Sequence, residues 1–371
     1  MLYNLNSTLS NTMFVMTVDV ESDDAWRHPD KISLKNLSNI PAFQACCERY
    51  GIVPTYLVTY ECATRDEAVS VLKPIADAGK CEIGHHLHTW TTPPFEREDP
   101  SGIDSAWLQA YQFELPDSLF SEKAECLRLE IEKTYGKSPT SHRAGRWGID
   151  QRGVDWLIEH GFTAESSVVP IMSWSSSMGK SRRGPSFYSS PATPFAWRSR
   201  SGCRSDEAFL MEIPLTVYRP ESFLPGLCMR YLKACMPGSD RVDRLYRKLI
   251  KGSGMLRPDP RYGDGALRRM IDSCIRQKMP VLNCMIHSSE LETGSSPFSA
   301  TQHDCDRVWE CLEDVFRYID SMGITFVPLS TAAEILKGKV SLAVPPLKMK
   351  EKSVTLSITA ETLRGKRINP V

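Results

Sequence analysis

The sequence predicts a mixed α/β fold in which a parallel sheet curls into a closed or nearly closed barrel of about seven β/α units. Apolar, β-branched runs alternate with segments of helical periodicity along the 371 residues. Such alternation predicts βαβ units and a parallel sheet. Polar residues follow the apolar runs at their C-terminal ends, where the chemistry of such barrels gathers.

The first half of the chain supplies three predicted strands separated by helices. Residues 13–20, MFVMTVDV, form a buried run that ends in acid. Residues 53–60 and 81–86 are the next two strands, and histidines stand at the end of the third. The segments between them, 39–51 and 65–79, have helical spacing and each closes on glycine.

The second half continues the alternation after a long loop. Apolar runs again end in polar residues, and the helical segments are amphipathic. The predicted helices are 121–136, 151–161 and 304–323. The predicted strands are 211–218, 280–289 and 324–330, and residues 141–148 form a short strand or the end of one.

One domain accounts for this pattern. We predict a single catalytic barrel over residues 1–338, with insertions near 173–206 and 219–263. The first insertion is rich in Ser, Arg and Pro and is expected to cover the site. The tail, 339–371, is expected to be peripheral and partly disordered.

Composition excludes several classes of function. Lys+Arg and Asp+Glu number 45 each, so a global attraction to nucleic acid is not expected. We find no signal-peptide pattern and no apolar window of about 18 residues, which predicts a cytoplasmic protein without a transmembrane segment. The 12 cysteines show no CxxC spacing and are expected to be free thiols. Motifs of serine hydrolases, phosphate-binding loops and zincin proteases are missing from the sequence.

An acidic pair ends the first strand. Asp19 and Glu21 are two residues apart, so a regular strand would place both on one face. Such a pair can supply a metal ligand and a separate general base. The alternative is a solvated turn after the strand, as we expect for Asp23 and Asp24.

Three histidines end the third strand, in GHHLHTW. His86 and His88 would share a face, and His85 would point to the other. Neutral imidazoles suit zinc, and two histidines with one carboxylate leave open positions for water and substrate. A polar patch at the strand end is the alternative.

Three further residue types complete the candidate constellation. Arg143 and Arg146 could orient a carboxylate or bind an anion, or form surface ion pairs. Trp147 could pack against a sugar or in the core. His287 ends an apolar run and is a candidate general acid, because imidazole titrates near neutrality.

Taken together, these motifs resemble the polysaccharide deacetylases with a NodB-type domain, carbohydrate esterase family four in the broad sense. The resemblance spans about residues 13–330 and rests on the segments TVDVES, EIGHHLHTW, HRAGRWG, MEIPL and MIHSSEL. HLHTWTTPPFE, RAGRWG and HSSELETGSSPF look closest to the WalW-like branch, which is linked to lipopolysaccharide or exopolysaccharide synthesis.

The resemblance implies a deformed (β/α)7-8 barrel and a divalent-metal hydrolase that removes acetyl groups from carbohydrate. Position by position, it implies these roles: Asp19 as base, Glu21 as carboxylate ligand, His86 as first histidine ligand, Arg143 as the residue that orients the base and His287 as acid. The implied metal is zinc, with cobalt or nickel as alternatives.

The sequence departs from the family pattern at two ligand positions. Val20 stands where the family has a second carboxylate, so the ligand role moves to Glu21. Trp90 stands where the family has its second histidine, four residues after the first, and His88 takes that role. We assign Trp90, together with Trp147 and Arg146, to substrate binding.

The resulting hypothesis is a cytoplasmic N-deacetylase that acts on an acetylated sugar or polysaccharide intermediate of surface-polysaccharide synthesis. Two alternatives stay open. One is an amidohydrolase of small non-sugar amides within the same fold. The other is a catalytically silent barrel that binds glycan as a scaffold, suggested by the altered metal motif.

Overall fold

The computed structural model describes residues 12–199, 209–218 and 254–340. The strands within these ranges are β1 (Met13–Val20), β2 (Thr55–Val58), β3 (Glu82–Leu87), β4 (Ser141–Ala144), β5 (Ala164–Glu165), β6 (Phe195–Arg198), β7 (Phe209–Glu212), β8 (Val217–Tyr218), β9 (Gly254–Met255), β10 (Val281–His287) and β11 (Thr325–Phe326). The α-helices are α1 (Ile40–Arg49), α2 (Tyr60–Thr64), α3 (Asp66–Asp77), α4 (Asp117–Tyr135), α5 (Gln151–Glu159), α6 (Ala266–Arg276), α7 (Gln302–Ser321) and α8 (Leu329–Leu336).

The main sheet confirms the predicted α/β class. Its strand order is β10-β1-β2-β3-β4-β5-β7-β6, and β11 pairs with the first two residues of β1. Neighbouring strands are parallel except for β6 and β7, which are antiparallel. The sheet is therefore curled and parallel-rich, and it forms half of a barrel with helices packed outside.

Irregular backbone connects the segment after β7 to β10, where a regular barrel would have a ladder of paired strands. Among the described residues, the amide of Thr216 donates to Asn283 (3.1 Å), and that of Leu256 donates to Thr216 (2.8 Å). The amide of Met285 in turn donates to Leu256 (3.3 Å). The barrel is thus deformed here, because isolated hydrogen bonds replace strand pairing.

The side chains of β1 alternate between the outer and inner faces of the sheet. Phe14, Met16, Val18 and Val20 are buried in the large hydrophobic core with the outer helices. Met13 and Val15 belong to a second buried cluster that includes residues of α8. Thr17 and Asp19 continue this inner face, so the polar end of the strand opens at one end of the barrel.

Proline explains three differences from the predicted elements. Residues 211–218 form two strands rather than one, because Pro214 has no N–H to continue the ladder. Residues 324–330 contain only the two-residue β11, since α8 begins directly after Pro328. Helix α4 likewise begins earlier than predicted, after Pro116, and ends as expected at the left-handed Gly136.

The first predicted insertion contains a hairpin over residues 171–187, which we call the hairpin. Its two arms are joined by antiparallel bridges at Ser173–Ser186 and Met178–Arg183. Of the second insertion, residues 219–253 lie outside the described ranges, as do residues 341–371 of the predicted tail. In the part of the chain that the structure describes, no helix combines the length and apolarity needed to cross a membrane. The described cysteines are free thiols, and most are buried.

Candidate active site

The predicted acidic pair faces the inside of the barrel. Asp19 and Glu21 are 2% and 4% exposed, so neither lies in a solvated turn. Asp23 and Asp24 also differ from the expectation that they are solvated. The Asp23 carboxylate accepts hydrogen bonds from Ser33 and Asn36 (2.6 and 2.7 Å), and Asp24 is buried. The whole segment after β1 is therefore held tightly in place.

The histidines divide between two faces as predicted. His86 and His88 are buried on the inner face beside Glu21, at Nε2–Oε2 distances of 3.8 and 3.3 Å. His85 points outward, where its Nδ1 lies 2.9 Å from Nδ1 of His142. Burial lowers the pKa of His85 to about 3, so this imidazole is neutral and structural.

The inner cluster fits a divalent ion. One donor atom each from Glu21, His86 and His88 lies within 4.8 Å of the others, and all three residues are buried. Nδ1 of His86 lies 2.9 Å from the carbonyl of Arg143. Donation of the Nδ1 proton to that carbonyl leaves Nε2 free to bind metal, the usual arrangement for a metal-binding histidine.

The electrostatics of the cluster also favour a cation. Burial alone would raise the pKa of Glu21, but the charge of His287 and hydrogen bonds from His86 and His88 lower it well below its ordinary value. Burial lowers the pKa of His86, yet the charges of Asp19 and Glu21 outweigh burial and raise it. The site therefore stabilises positive charge, which a bound divalent ion would provide.

Arg143 lies beneath the cluster and orients Asp19. It is fully buried, and its Nη1 donates to Oδ1 of Asp19 at 2.5 Å. The other nitrogens donate to Thr17 and to Ser166, at 2.8–2.9 Å. A buried charge with every nitrogen bonded is rigid, so Arg143 fixes the carboxylate rather than forming a surface ion pair.

His287 is held by a carboxylate that the sequence did not reveal. Its Nδ1 lies 2.6 Å from Oε1 of Glu290, and its Nε2 lies 3.7 Å from Oδ2 of Asp19. Arg257 donates to the same Glu290 oxygen at 2.6 Å. Burial would raise the pKa of Glu290, but Arg257 and His287 lower it, which keeps the carboxylate ionised.

The loop after β4 brings Trp147 and Arg146 to the same cavity. Both have positive φ angles, 64° and 54°, in a short turn after Gly145. A Cβ at Gly145 would lie 2.4 Å from the Leu87 carbonyl and 2.7 Å from His88, so only glycine allows this approach. Strained backbone of this kind concentrates at functional sites.

The predicted substrate contacts are mostly occupied within the protein. Trp90 is 4% exposed and stacks on His88 at 4.5 Å, and Trp147 is 9% exposed beside Trp174 of the hairpin. The guanidinium of Arg146 donates to the carbonyls of Gln109 and Met178. Arg146 therefore joins the loop after β3 to the hairpin at the rim of the cavity.

Glu114 makes a second junction between these segments, which the sequence did not indicate. Its carboxylate accepts hydrogen bonds from the amides of Lys180, Ser181 and Arg182 at the hairpin tip, at 2.5–2.9 Å. It also accepts from the amide of Tyr111 at 2.8 Å. Backbone amides gathered around one carboxylate form a fixed anion site, so the hairpin is fastened to the loop.

All of the predicted site residues except Arg143 line one cavity of about 140 Å³. Trp26, which lies outside the sequence motifs, lines it as well. The cavity thus combines a candidate metal-binding cluster, an oriented carboxylate, an oriented imidazole and aromatic walls. These are the parts required for hydrolysis of an acyl group.

Solved structures share this fold. A protein described as a polysaccharide deacetylase from Mycobacterium smegmatis is 14% identical, with 90% of this chain and 94% of that chain covered and a TM-score of 0.52. The chain has the deacetylase fold. A protein described as a glycoside hydrolase or deacetylase from Parabacteroides distasonis is 12% identical over 88% and 71% of the two chains, with a TM-score of 0.52.

A solved structure with a different described activity also shares the fold. A 4-alpha-glucanotransferase from Thermococcus litoralis is 10% identical over 90% of this chain and 42% of that chain, with a TM-score of 0.51. Neither a protein-family model nor a curated protein matches the sequence. Likeness at such identities shows the fold alone, so the chemistry must be argued from the site.

Proposed function

We propose that this chain is a metal-dependent hydrolase that removes acetyl groups from the nitrogen of a carbohydrate. The observation that carries the proposal is the grouping of Glu21, His86 and His88 beside an arginine-held Asp19. A silent scaffold would not need the buried Asp19 carboxylate, which Arg143 holds at 2.5 Å and which lies 3.7 Å from Nε2 of His287. The deacetylase fold and the motif resemblance support the same chemistry.

Glu21, His86 and His88 would hold the ion, with zinc as our first choice and cobalt or nickel as alternatives. When bound, a divalent ion supplies Lewis-acid polarisation of the acetyl carbonyl and makes water more acidic. Asp19 accepts the proton of the attacking water. Arg143 aims that carboxylate through its hydrogen bond.

His287 acts on the opposite side of the reaction. It donates a proton to the sugar nitrogen as the C–N bond breaks, which allows the amine to leave. Glu290 accepts the Nδ1 proton of His287 and so fixes the tautomer and the direction of Nε2. Trp90 and Trp147 exclude water from the cavity walls, and Arg146 fastens its rim.

We place the reaction in surface-polysaccharide or lipopolysaccharide synthesis in the cytoplasm, on the resemblance of HLHTW and RAGRWG to the WalW-like branch. An amidohydrolase of small amides is the second candidate. The small cavity of about 140 Å³ favours that reading, since pockets for whole drug-sized ligands span about 300–1,000 Å³.

The first test measures metal content and acetate release together. We expect about one divalent ion per chain in the parent, and little in a His86→Ala/His88→Ala variant. His303→Ala is the matched control, because His303 is exposed on α7. Asp19→Asn should keep the ion and lose acetate release by about 10²–10⁴-fold, which a binding scaffold would not show.

Substrates of two kinds separate the enzyme hypotheses. Acetate release from N-acetylated chito-oligosaccharides, with none from small amides such as N-acetyl amino-acid amides, supports the sugar deacetylase. The reverse pattern supports the small-amide hydrolase. A folded parent that binds no added zinc, cobalt or nickel would contradict both.

A further inference from the structure

Trp26 supplies the aromatic surface of the cavity that remains accessible. It is 38% exposed, whereas Trp90 and Trp147, which line the same cavity, are 4% and 9% exposed. Its indole meets the His287 imidazole edge to face, with ring centroids 4.5 Å apart. Single exposed aromatic residues are common on protein surfaces, but this one lies in a cavity wall against the candidate acid.

The backbone around Trp26 is fixed on both sides. The Asp24 amide donates to the carbonyl of Ser295 (2.6 Å), and the Asp24 carbonyl accepts from the amides of Arg27 and His28. The carboxylate of Asp23, the residue before Asp24, accepts hydrogen bonds from two side chains and two backbone amides. The indole is thus presented by a pre-organised turn, as binding surfaces usually are.

The size of the cavity indicates what must lie on that indole. Its volume of about 140 Å³ is below the range of about 300–1,000 Å³ that encloses a whole small ligand. Only the acetyl-bearing part of a sugar would be enclosed, and the ring would extend towards the rim. A pyranose ring carries C–H groups on a flat face, which suits contact with the apolar face of an indole.

We propose that Trp26 is the platform on which the ring of an N-acetylhexosamine stacks while its acetamide enters the cavity. This inference rests on the proposed function and identifies the sugar contact of that site. Because the indole also contacts His287, the stacked ring would place the sugar nitrogen beside the imidazole that protonates it. Trp90 and Trp147 would then shape the cavity from within.

Binding without turnover tests the platform directly. Calorimetric titration of the Asp19→Asn protein with tri-N-acetylchitotriose and with N-acetylgalactosamine measures affinity for two hexosamine probes. Adding Trp26→Ala should weaken binding of the better probe about tenfold or more, while Trp26→Tyr should stay within about threefold. Leu129→Ala, an exposed apolar side chain on α4, should change nothing. Equal affinity of the Trp26→Ala protein, or no binding of either probe to its parent, would overturn the proposal.

Kinetics in the active protein separate a sugar platform from a structural support of His287. A platform predicts that Trp26→Ala raises KM about tenfold, with a smaller fall in kcat from the less well placed sugar nitrogen, and that tyrosine rescues KM. A loss confined to kcat would refute it. Acetate release with an unchanged KM leaves the proposed function standing and removes the platform. If binding depends on Trp26 but the protein releases no acetate, the platform is supported and the proposed function is contradicted.

Discussion

The chain Arg257–Glu290–His287 offers a test in which stability and activity should respond differently. Glu290 is fully buried and Arg257 is 4% exposed, and they are 2.6 Å apart. The guanidinium also lies 3.9 Å from the ring centroid of Phe298. Glu290→Leu would remove the carboxylate and leave the buried guanidinium of Arg257 unpaired. Arg257→Met would remove the guanidinium and leave the buried carboxylate of Glu290 without its cation.

Removing one partner of a buried ion pair costs about 3–5 kcal/mol, whereas replacing both with apolar residues is often neutral. We therefore expect each single variant to lose about 3 kcal/mol of the free energy of unfolding. The double variant should recover about half of that loss, because no unpaired charge remains, whereas the Nδ1 and amide protons of His287 still lack their acceptor. Acetate release should fall about 10²-fold in every variant that lacks Glu290, since Nδ1 of His287 loses its acceptor.

Urea unfolding of the four proteins gives the double-mutant cycle, and acetate release is measured on the same samples. Asp314→Leu is the matched control, because Asp314 pairs with Arg268 at the surface with both side chains more than a third exposed. That variant should cost less than about 1 kcal/mol. The reasoning would be refuted if Glu290→Leu lowered the free energy of unfolding by less than about 1 kcal/mol. A double variant less stable than either single variant would refute it as well.

Other parts of the site give further tests. Arg143→Lys should keep metal content but lower acetate release about 10²-fold, because lysine cannot match the several fixed donors of the guanidinium; unchanged turnover would contradict the role of Arg143. Gly145→Ala should destabilise the protein by about 1–3 kcal/mol in urea and weaken zinc binding, since its Cβ meets backbone and His88. Gly263→Ala, with open space around its Cβ, is its control. Glu114→Ala should release the hairpin tip and speed tryptic cleavage at Lys180 and Arg182 about fivefold or more, as read by mass spectrometry, and an unchanged rate would show that Glu114 does not fasten it. Burial would raise the pKa of Glu114, but hydrogen bonds from backbone amides lower it below its ordinary value of 4.5. The contact between Glu114 and the hairpin tip should therefore be fully formed above pH 4.5 and lost as the pH falls through the lowered pKa. Hydrogen exchange at residues 180–182 measures this loss.

The alternation of the strands made much of the site predictable. Residues two apart share a face, so the sequence alone paired Asp19 with Glu21 and His86 with His88. The same rule predicts that His85 points outward, and in the structure it lies against His142 on the outer side. These relations are local, and the parallel sheet then gathers the strand ends at one edge.

Contacts between distant segments could not be predicted in the same way. Glu290 lies three residues after His287, yet nothing in the sequence shows that Arg257 reaches it. Glu114 and the hairpin tip are more than sixty residues apart and meet through backbone amides, which carry no sequence signal. Trp26 was missed because a tryptophan after a strand is compatible with core or surface, and its exposure depends on the turn around it.

One of the two differences from the ligand spacing of the deacetylases that the sequence resembles, the one at Val20, has an explanation in this fold. Val20 is fully buried in the core with the outer helices, so a carboxylate there would face away from the cavity. Glu21 stands on the same face as Asp19, and His88 on the same face as His86, each two residues further along. Moving the carboxylate by one residue brings it to the inner surface beside the two histidines, where the three candidate donor atoms meet; position 90 also faces this cavity. The altered motif therefore retains a candidate metal site. Trp90, at the position of the family's second histidine, stacks on His88.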